Sequence, residues 1–430
     1  MTYELVCNNC QTRYPSDSGY RLECCPDGLL IAEYPRQLAI DEQASGLWKF
    51  RSWLPVESQG GIAASSVCFP APELGSAIGL DDLWVSFNGY WPERGGACPT
   101  GSFKDLEVAP TLQRLLECGA PGLVVATAGN TGRSFAHFGG MIGYPVVVVV
   151  AEQHLSRIWR PGLPQAESTV VIALRNADYG DATNVVGQAT PRIGWQREGG
   201  VRNVARRDGI GTLLLEAVSV MGAMPDHYVQ AVSGGPGPIG VGEMSRRLVD
   251  DGRFGTTMPR VHLVQNIEHR PIVQAWRHGR NQLEPQDFPA GPVEVYSDVL
   301  VNRAPAYGIR GGLRELLENT NGQAHAVSGA AAGEAAELAR QTLGIDIMAP
   351  AAVALAGLRE AAANGEIGRS DRVLLAITGG GVERLAADVE LHQPHHVVRL
   401  DIDEAADHLV ALYEMAKDST PASAAAALAG

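Results

Sequence analysis

Short runs of consecutive apolar residues recur along the chain, each followed by small residues and then by a helix-like stretch. Leu123-Val124-Val125-Ala126 leads through Thr127-Ala128 into Gly129-Asn130-Thr131-Gly132 and a helical pattern reaching Phe138. Tyr228-Val229-Gln230-Ala231-Val232 leads into Ser233-Gly234-Gly235-Pro236-Gly237-Pro238. Val373-Leu374-Leu375-Ala376-Ile377 leads into Thr378-Gly379-Gly380-Gly381. Apolar runs without alternation predict strands covered on both faces, hence an α/β fold with largely parallel sheets. Ligands of such sheets bind beyond the carboxyl ends of the strands. The three small-residue loops all follow strands and are candidates to line one cleft. No internal repeat is evident.

The ends of the chain differ from this body. Residues 1–35 form a Cys-bearing, hairpin-like leader whose halves are separated by the polar turn Tyr14-Pro15-Ser16-Asp17-Ser18-Gly19. Residues 418–430 are low in complexity and are expected to be disordered. The longest strongly apolar stretch, Pro145 to Ala151 with its five valines, is far short of the roughly 20 residues needed to span a bilayer. The N-terminus has no basic segment leading into an apolar one, so no signal peptide is read there, and a cytoplasmic location is expected.

Composition narrows the chemistry. The 430 residues are 45% hydrophobic and 19% charged, ordinary for a globular chain of two or three domains. A net charge of −14 gives no support to a nucleic-acid or membrane-surface partner. The basic residues are almost all arginines; the lysines are Lys49, Lys104 and Lys417. Lysine can lose its proton and form a Schiff base with a carbonyl, whereas arginine stays charged. Lys49 lies between Trp48 and Phe50, and Lys417 borders the tail. Lys104, in Gly101-Ser102-Phe103-Lys104-Asp105, is therefore the candidate for imine chemistry.

Each loop has a ligand reading and a purely structural one. In the loop at 233–239, the N–H groups of Ser233, Gly234, Gly235, Gly237 and Ile239 and the Ser233 hydroxyl are candidate phosphate donors ahead of a helix; a tight turn accounts for the same residues. The amides and hydroxyls of Thr127, Ala128, Gly129, Asn130 and Thr131 suit a carboxylate, and equally a helix N-cap. Thr378 offers a hydroxyl at a strand end or simply begins a turn. Arg202, Arg206 and Arg207 cluster, and Arg303 lies in Asn302-Arg303-Ala304-Pro305; they are candidate oxyanion ligands or members of surface ion pairs. Cys7, Cys10, Cys24 and Cys25 have partly zinc-like spacing, although neighbouring side chains in a strand point apart. Zinc, with a turn at Cys25-Pro26, and reduced free thiols both remain open. Cys98 lies near Lys104, either as a cleft thiol or packed in the core.

Taken together, the segments resemble the fold type II family of pyridoxal-phosphate enzymes, which is tryptophan synthase β-like and includes threonine synthase. The resemblance implies two open parallel-rich sheets with pyridoxal 5'-phosphate in the interdomain cleft. It implies a Schiff base on Lys104, a substrate carboxylate at Thr127 to Thr131, and Asn130 also at the cofactor's phenolic oxygen. It further implies phosphate at Ser233 to Ile239 and the pyridine nitrogen beside Thr378. The domains expected are 36–85 with 195–417 as the large, cofactor-binding one and 86–194 as the small one, carrying Lys104. The segments at 87–93, 199–207, 224–228 and 302–305 look similar to the threonine-synthase-like enzymes that make cysteate. That similarity implies β-replacement of the phosphate of O-phospho-L-serine by sulfite through an aminoacrylate, in a family where homodimers are common. Threonine formation from O-phosphohomoserine, another nucleophile, or a cofactor-free regulatory relative are the alternatives.

Overall fold

Every residue of Val146–Ala151 and of Thr169–Leu174 is buried, as apolar runs without alternation require. In the computed structural model, which describes residues 3–20, 22, 24–162 and 168–416, contacts divide the chain into two units. Lys417 and the tail at 418–430 lie outside the described residues.

The larger unit gathers residues up to 55, 63–107 and 200–384. Its six-stranded sheet runs in the order Gln323–Val327, Arg260–Asn266, His227–Ala231, Arg372–Ile377, Asp82–Phe87, Val67–Pro70. The first five strands are parallel, and Val67–Pro70 closes the edge antiparallel to Asp82–Phe87. The leader is a small antiparallel sheet of three strands rather than a hairpin, with Glu4–Cys7 between Arg13–Tyr14 and Leu30–Glu33.

Two helices of this unit pack closely. Val204–Met221 is capped by Asn203, whose side chain accepts the Arg206 N–H, and ends at the left-handed Gly222. Pro236–Asp251 begins with proline at its first position, where no N–H is needed. A Cβ at Gly240 would lie 2.3 Å from the Arg207 carbonyl oxygen, so glycine is what lets the two backbones approach.

The smaller unit holds 56–62, 108–199 and the C-terminal residues from 385. Its sheet is wholly parallel, in the order Gln196–Arg197, Leu123–Thr127, Val146–Ala151, Thr169–Leu174, Val397–Leu400. This division differs from the one expected from sequence chiefly at two places, while 56–62 and 195–199 also group with the smaller unit. Lys104 groups with the larger unit, because the strip just before it is hydrogen-bonded to 378–380. The C-terminal segment groups with the smaller unit, because Val397–Leu400 pairs with Thr169–Leu174. Among the described residues no helix is long and apolar enough to cross a membrane.

Candidate active site

Lys104 opens the helix Lys104–Glu117, and three backbone links fix the chain just before it. Gly380 N–H donates to Gly101 O and Phe103 N–H donates to Thr378 O, each at 3.0 Å, and Ser102 bridges Gly379. Lys104 and Thr378 are thus held in register across adjoining segments. The helix start is closed by Asp105, whose carboxylate accepts the Thr100 N–H at 2.8 Å and the Thr100 hydroxyl at 2.5 Å.

The Lys104 ammonium donates to Glu107 Oε2 at 3.0 Å and lies over the Phe103 ring. The same carboxylate oxygen is 3.0 Å from Arg206 Nε. The Glu107 side chain is 0% exposed, Lys104 14% and Arg206 10%, so this is a largely desolvated triad of one anion between two cations. An unpaired carboxylate at that depth would be costly, and two cationic partners offset the cost. Glu107 was not singled out from the sequence, although it lies three residues past Lys104, the spacing that brings helical side chains together. Its pairing with Arg206 had no local signal.

The four arginines separate in the structure. Arg206 joins the lysine. Arg207 does not: it is fully buried, with Nε 3.0 Å from Glu243 and Nη1 and Nη2 donating to Val201 O and Leu30 O. Arg202 donates to Gly28 O at 3.2 Å. Both therefore hold the leader and the helix start rather than an oxyanion. Arg303 is exposed on the 302–306 loop, whose Ala306 N–H donates to Gly234 O.

That bond ties the 302–306 loop to the glycine-rich turn at 233–239. Ile239 is removed from the expected phosphate donors, since its N–H makes a helical bond to Gly235 O at 3.1 Å. Ser233, Gly234, Gly235 and Gly237 remain. A Cβ at Gly237 would lie 2.6 Å from Gln230 Nε2 and 3.2 Å from the Phe103 ring. The turn, the residue before the lysine and the Gln230 carboxamide thus converge. Gln230, aligned by the Tyr228 hydroxyl at 2.6 Å, is a second residue the sequence did not flag.

In the smaller unit, Thr127 organises the other loop. Its Oγ accepts the N–H groups of Gly129 and Gly132, both at 3.0 Å, which leaves its O–H to donate. Arg157 holds Ala128 O at 3.2 Å, and the helix Asn130–Ile142 begins after Gly129 without a side-chain cap. The amides of 128, 130 and 131 and the side chains of Asn130 and Thr131 are the donors left for a carboxylate.

Cys98 is packed rather than reactive: it is buried, its Sγ lies 3.6 Å from Ser65 O, and burial holds its thiol well above the usual range. Cys7, Cys10, Cys24 and Cys25 are brought together in the leader.

The chain is similar to known proteins over most of its length. Residues 78–379 match the family described as pyridoxal-phosphate dependent enzyme. The cysteate synthase of Methanosarcina acetivorans is 41% identical over 394 residues, covering 90% of this chain and 94% of that one. That of Methanoregula boonei is 44% identical, covering 90% and 92%. Among solved structures, a pyridoxal 5'-phosphate-dependent aspartate racemase shares the fold with a TM-score of 0.56 at 16% identity, covering 73% of this chain and 90% of that one. An O-ureido-L-serine synthase does so with a TM-score of 0.54 at 15% identity, covering 75% and 90%.

Proposed function

The chain belongs to the pyridoxal-phosphate dependent enzyme family and, within it, to the cysteate synthases, and from that premise we propose that it converts O-phospho-L-serine and sulfite to L-cysteate and phosphate. The residues present fit the cofactor: the cradle at Gly237 has room only for backbone, and it abuts the segment carrying Lys104. Lys104 would bind the cofactor's aldehyde carbon, the amides of Ser233, Gly234, Gly235 and Gly237 its phosphate, and Thr378 its ring nitrogen. The bound cofactor supplies the electron sink that lets bonds at the substrate's Cα and Cβ break.

The remaining work falls to the chain's own groups. The loop from Thr127 to Thr131 holds the substrate carboxylate through its amides and hydroxyls. Lys104 Nζ takes the α-proton and later returns it to Cα. The Cβ–O bond breaks with phosphate leaving, and the Cβ–S bond forms with the sulfite lone pair, so no oxidant or reductant is needed. Glu107 orients Nζ through its 3.0 Å contact. Arg206 and Arg303 are the arginines left to balance the two oxyanions. A homodimer located in the cytoplasm completes the reading.

The observation that carries it is the register of Lys104 with Thr378, set by backbone bonds rather than by flexible side chains. The deciding experiment incubates the holoenzyme with O-phosphoserine, with and without sulfite, and identifies the product by mass. Cysteate with stoichiometric phosphate is expected. Phosphate release only from O-phosphohomoserine, with threonine as product, would replace the reading with threonine synthesis.

A further inference from the structure

The leader carries four cysteines that none of this chemistry uses. Cys7, Cys10, Cys24 and Cys25 present four sulfurs that all lie within 4.8 Å of one another, and none is in a disulfide. Four thiolates around a tetrahedral zinc ion, with Zn–S near 2.3 Å, stand about 3.8 Å apart. The sulfurs therefore need to close by about an ångström or less.

Two turns present them. Gln11 N–H donates to Cys7 O at 3.0 Å, with Gln11 in the left-handed region at φ 63°, which folds the Cys7–Cys10 pair back on itself. Gly28 N–H donates to Cys25 O at 2.9 Å, forming a turn beyond the adjacent cysteines. Because Cys24 and Cys25 precede a turn rather than lie in a strand, the alternation that would point them apart does not apply. Asn8 joins the turns, its side chain accepting the Leu29 N–H at 2.8 Å and its own N–H donating to Leu29 O.

Polar groups already face three of the sulfurs. The Asn9 N–H points at Cys7 Sγ at 3.4 Å, the Tyr14 hydroxyl at Cys24 Sγ at 2.9 Å, and the Thr12 hydroxyl lies 3.1 Å from Cys10 Sγ. Such outer-shell hydrogen bonds suit thiolate ligands. The leader also needs a staple, since among the described residues its buried cluster is small: Tyr3, Leu5, Cys7, Leu22, Leu30 and Ala32, with Val204 from the body.

We propose that Cys7, Cys10, Cys24 and Cys25 bind one structural Zn2+, and that this ion holds the leader against the first turn of the 204–221 helix. Binding releases the thiol protons and involves no redox step. The leader's Gly28 O, Leu30 O and Ala32 O accept from Arg202, Arg207 and Arg247. Arg207 is the immediate neighbour of Arg206, which sits on Glu107 beside Lys104.

The test begins with elemental analysis of the full-length holoenzyme purified without chelator. About one zinc per chain is expected, released in proportion to thiol modification by a mercurial. Growth with Co2+ in place of Zn2+ should give the thiolate-to-cobalt charge-transfer absorption and the intense visible bands of a tetrahedral S4 site. The double variant Cys10→Ser/Cys24→Ser should lose both metal and bands and melt at a lower temperature. Metal-free protein with four readily titrated leader thiols, unchanged in melting by added Zn2+, would overturn the proposal. So would zinc retained in the double variant, which would place it elsewhere, for example at His262, His325 and Glu366. If the double variant does not fold, the cobalt spectrum of the unmutated chain still decides.

Discussion

The turns at 127–131 and 233–239 read alike: an apolar strand, small residues, then a helix. Both helices follow a glycine at positive φ, 141° at Gly129 and 103° at Gly235, and neither has a side-chain cap. They differ in what holds them. The first is closed from within, by the Thr127 hydroxyl accepting two amides of its own loop. The second is closed largely from outside, by Ala306 and Phe103, with Gln230 of its own strand packed beside Gly237. A self-closed loop can move with its own strand and close on a small substrate. A loop fixed by two other segments has its amides in place before any ligand arrives, which suits a cofactor that stays through many turnovers.

Substitutions can pull these two behaviours apart. The largest effect is expected from Lys104→Ala, the proposed anchor of the cofactor: activity should fall by about 10³-fold or more, with loss of the protein-bound cofactor's visible absorbance. Retained absorbance would show that another amine holds the cofactor. Gly237→Ala drives a methyl group against Gln230 and Phe103 and should weaken cofactor binding about 10- to 100-fold, measured by equilibrium dialysis, while KM of the reloaded enzyme changes little. Thr127→Val leaves two amides without their acceptor, a cost of about 1–3 kcal/mol. It should raise KM for phosphoserine about tenfold at unchanged cofactor affinity. If both variants act on the same constant, the distinction between the loops fails.

The last expected effect is spread over several pH units and concerns the two units themselves. Burial, then Arg160, lowers His137 in the smaller unit to about 4; burial, then His325, His227 and Arg260, lowers His262 in the larger unit to about 2. Both are neutral in the folded protein near neutrality and take up protons on unfolding. Their stabilisation is complete above about pH 6.5 and declines as pH falls, by about 1.4 kcal/mol per pH unit for each histidine. The His137 contribution should level off near pH 4 while that of His262 continues toward pH 2. Urea midpoints between pH 7 and 4 check this, and His137→Asn should lower the slope by that residue's own share, with His269 and His325, also lowered by burial, adding to what remains.

Much of the site was legible because its parts are local. Strand, small loop and helix each leave a mark within ten residues, so Lys104, the two loops and Thr378 could be singled out before any coordinates. The correction at Ile239 was legible too: with Pro236 opening the helix, the fourth residue on is the first whose N–H has a carbonyl to meet. What the sequence could not carry were pairings between distant segments. Arg206 and Arg207 are chemically identical neighbours, and only the turn of the helix sends one to Glu107 and the other to the carbonyl of Leu30. The unit boundary around Lys104 was missed for the same reason, since the bonds that set it join residue 103 to residue 378.

The fully buried Arg207 carries one more consequence. Its guanidinium reaches a main-chain oxygen of the leader, and main-chain oxygens are present whatever the side chain. The seam thus tolerates drift in leader side chains but not a change in leader length between Cys25 and Leu30. Leaders exchanged between relatives should function where that spacing is kept and leave one buried guanidinium donor of Arg207 unpaired where it is not.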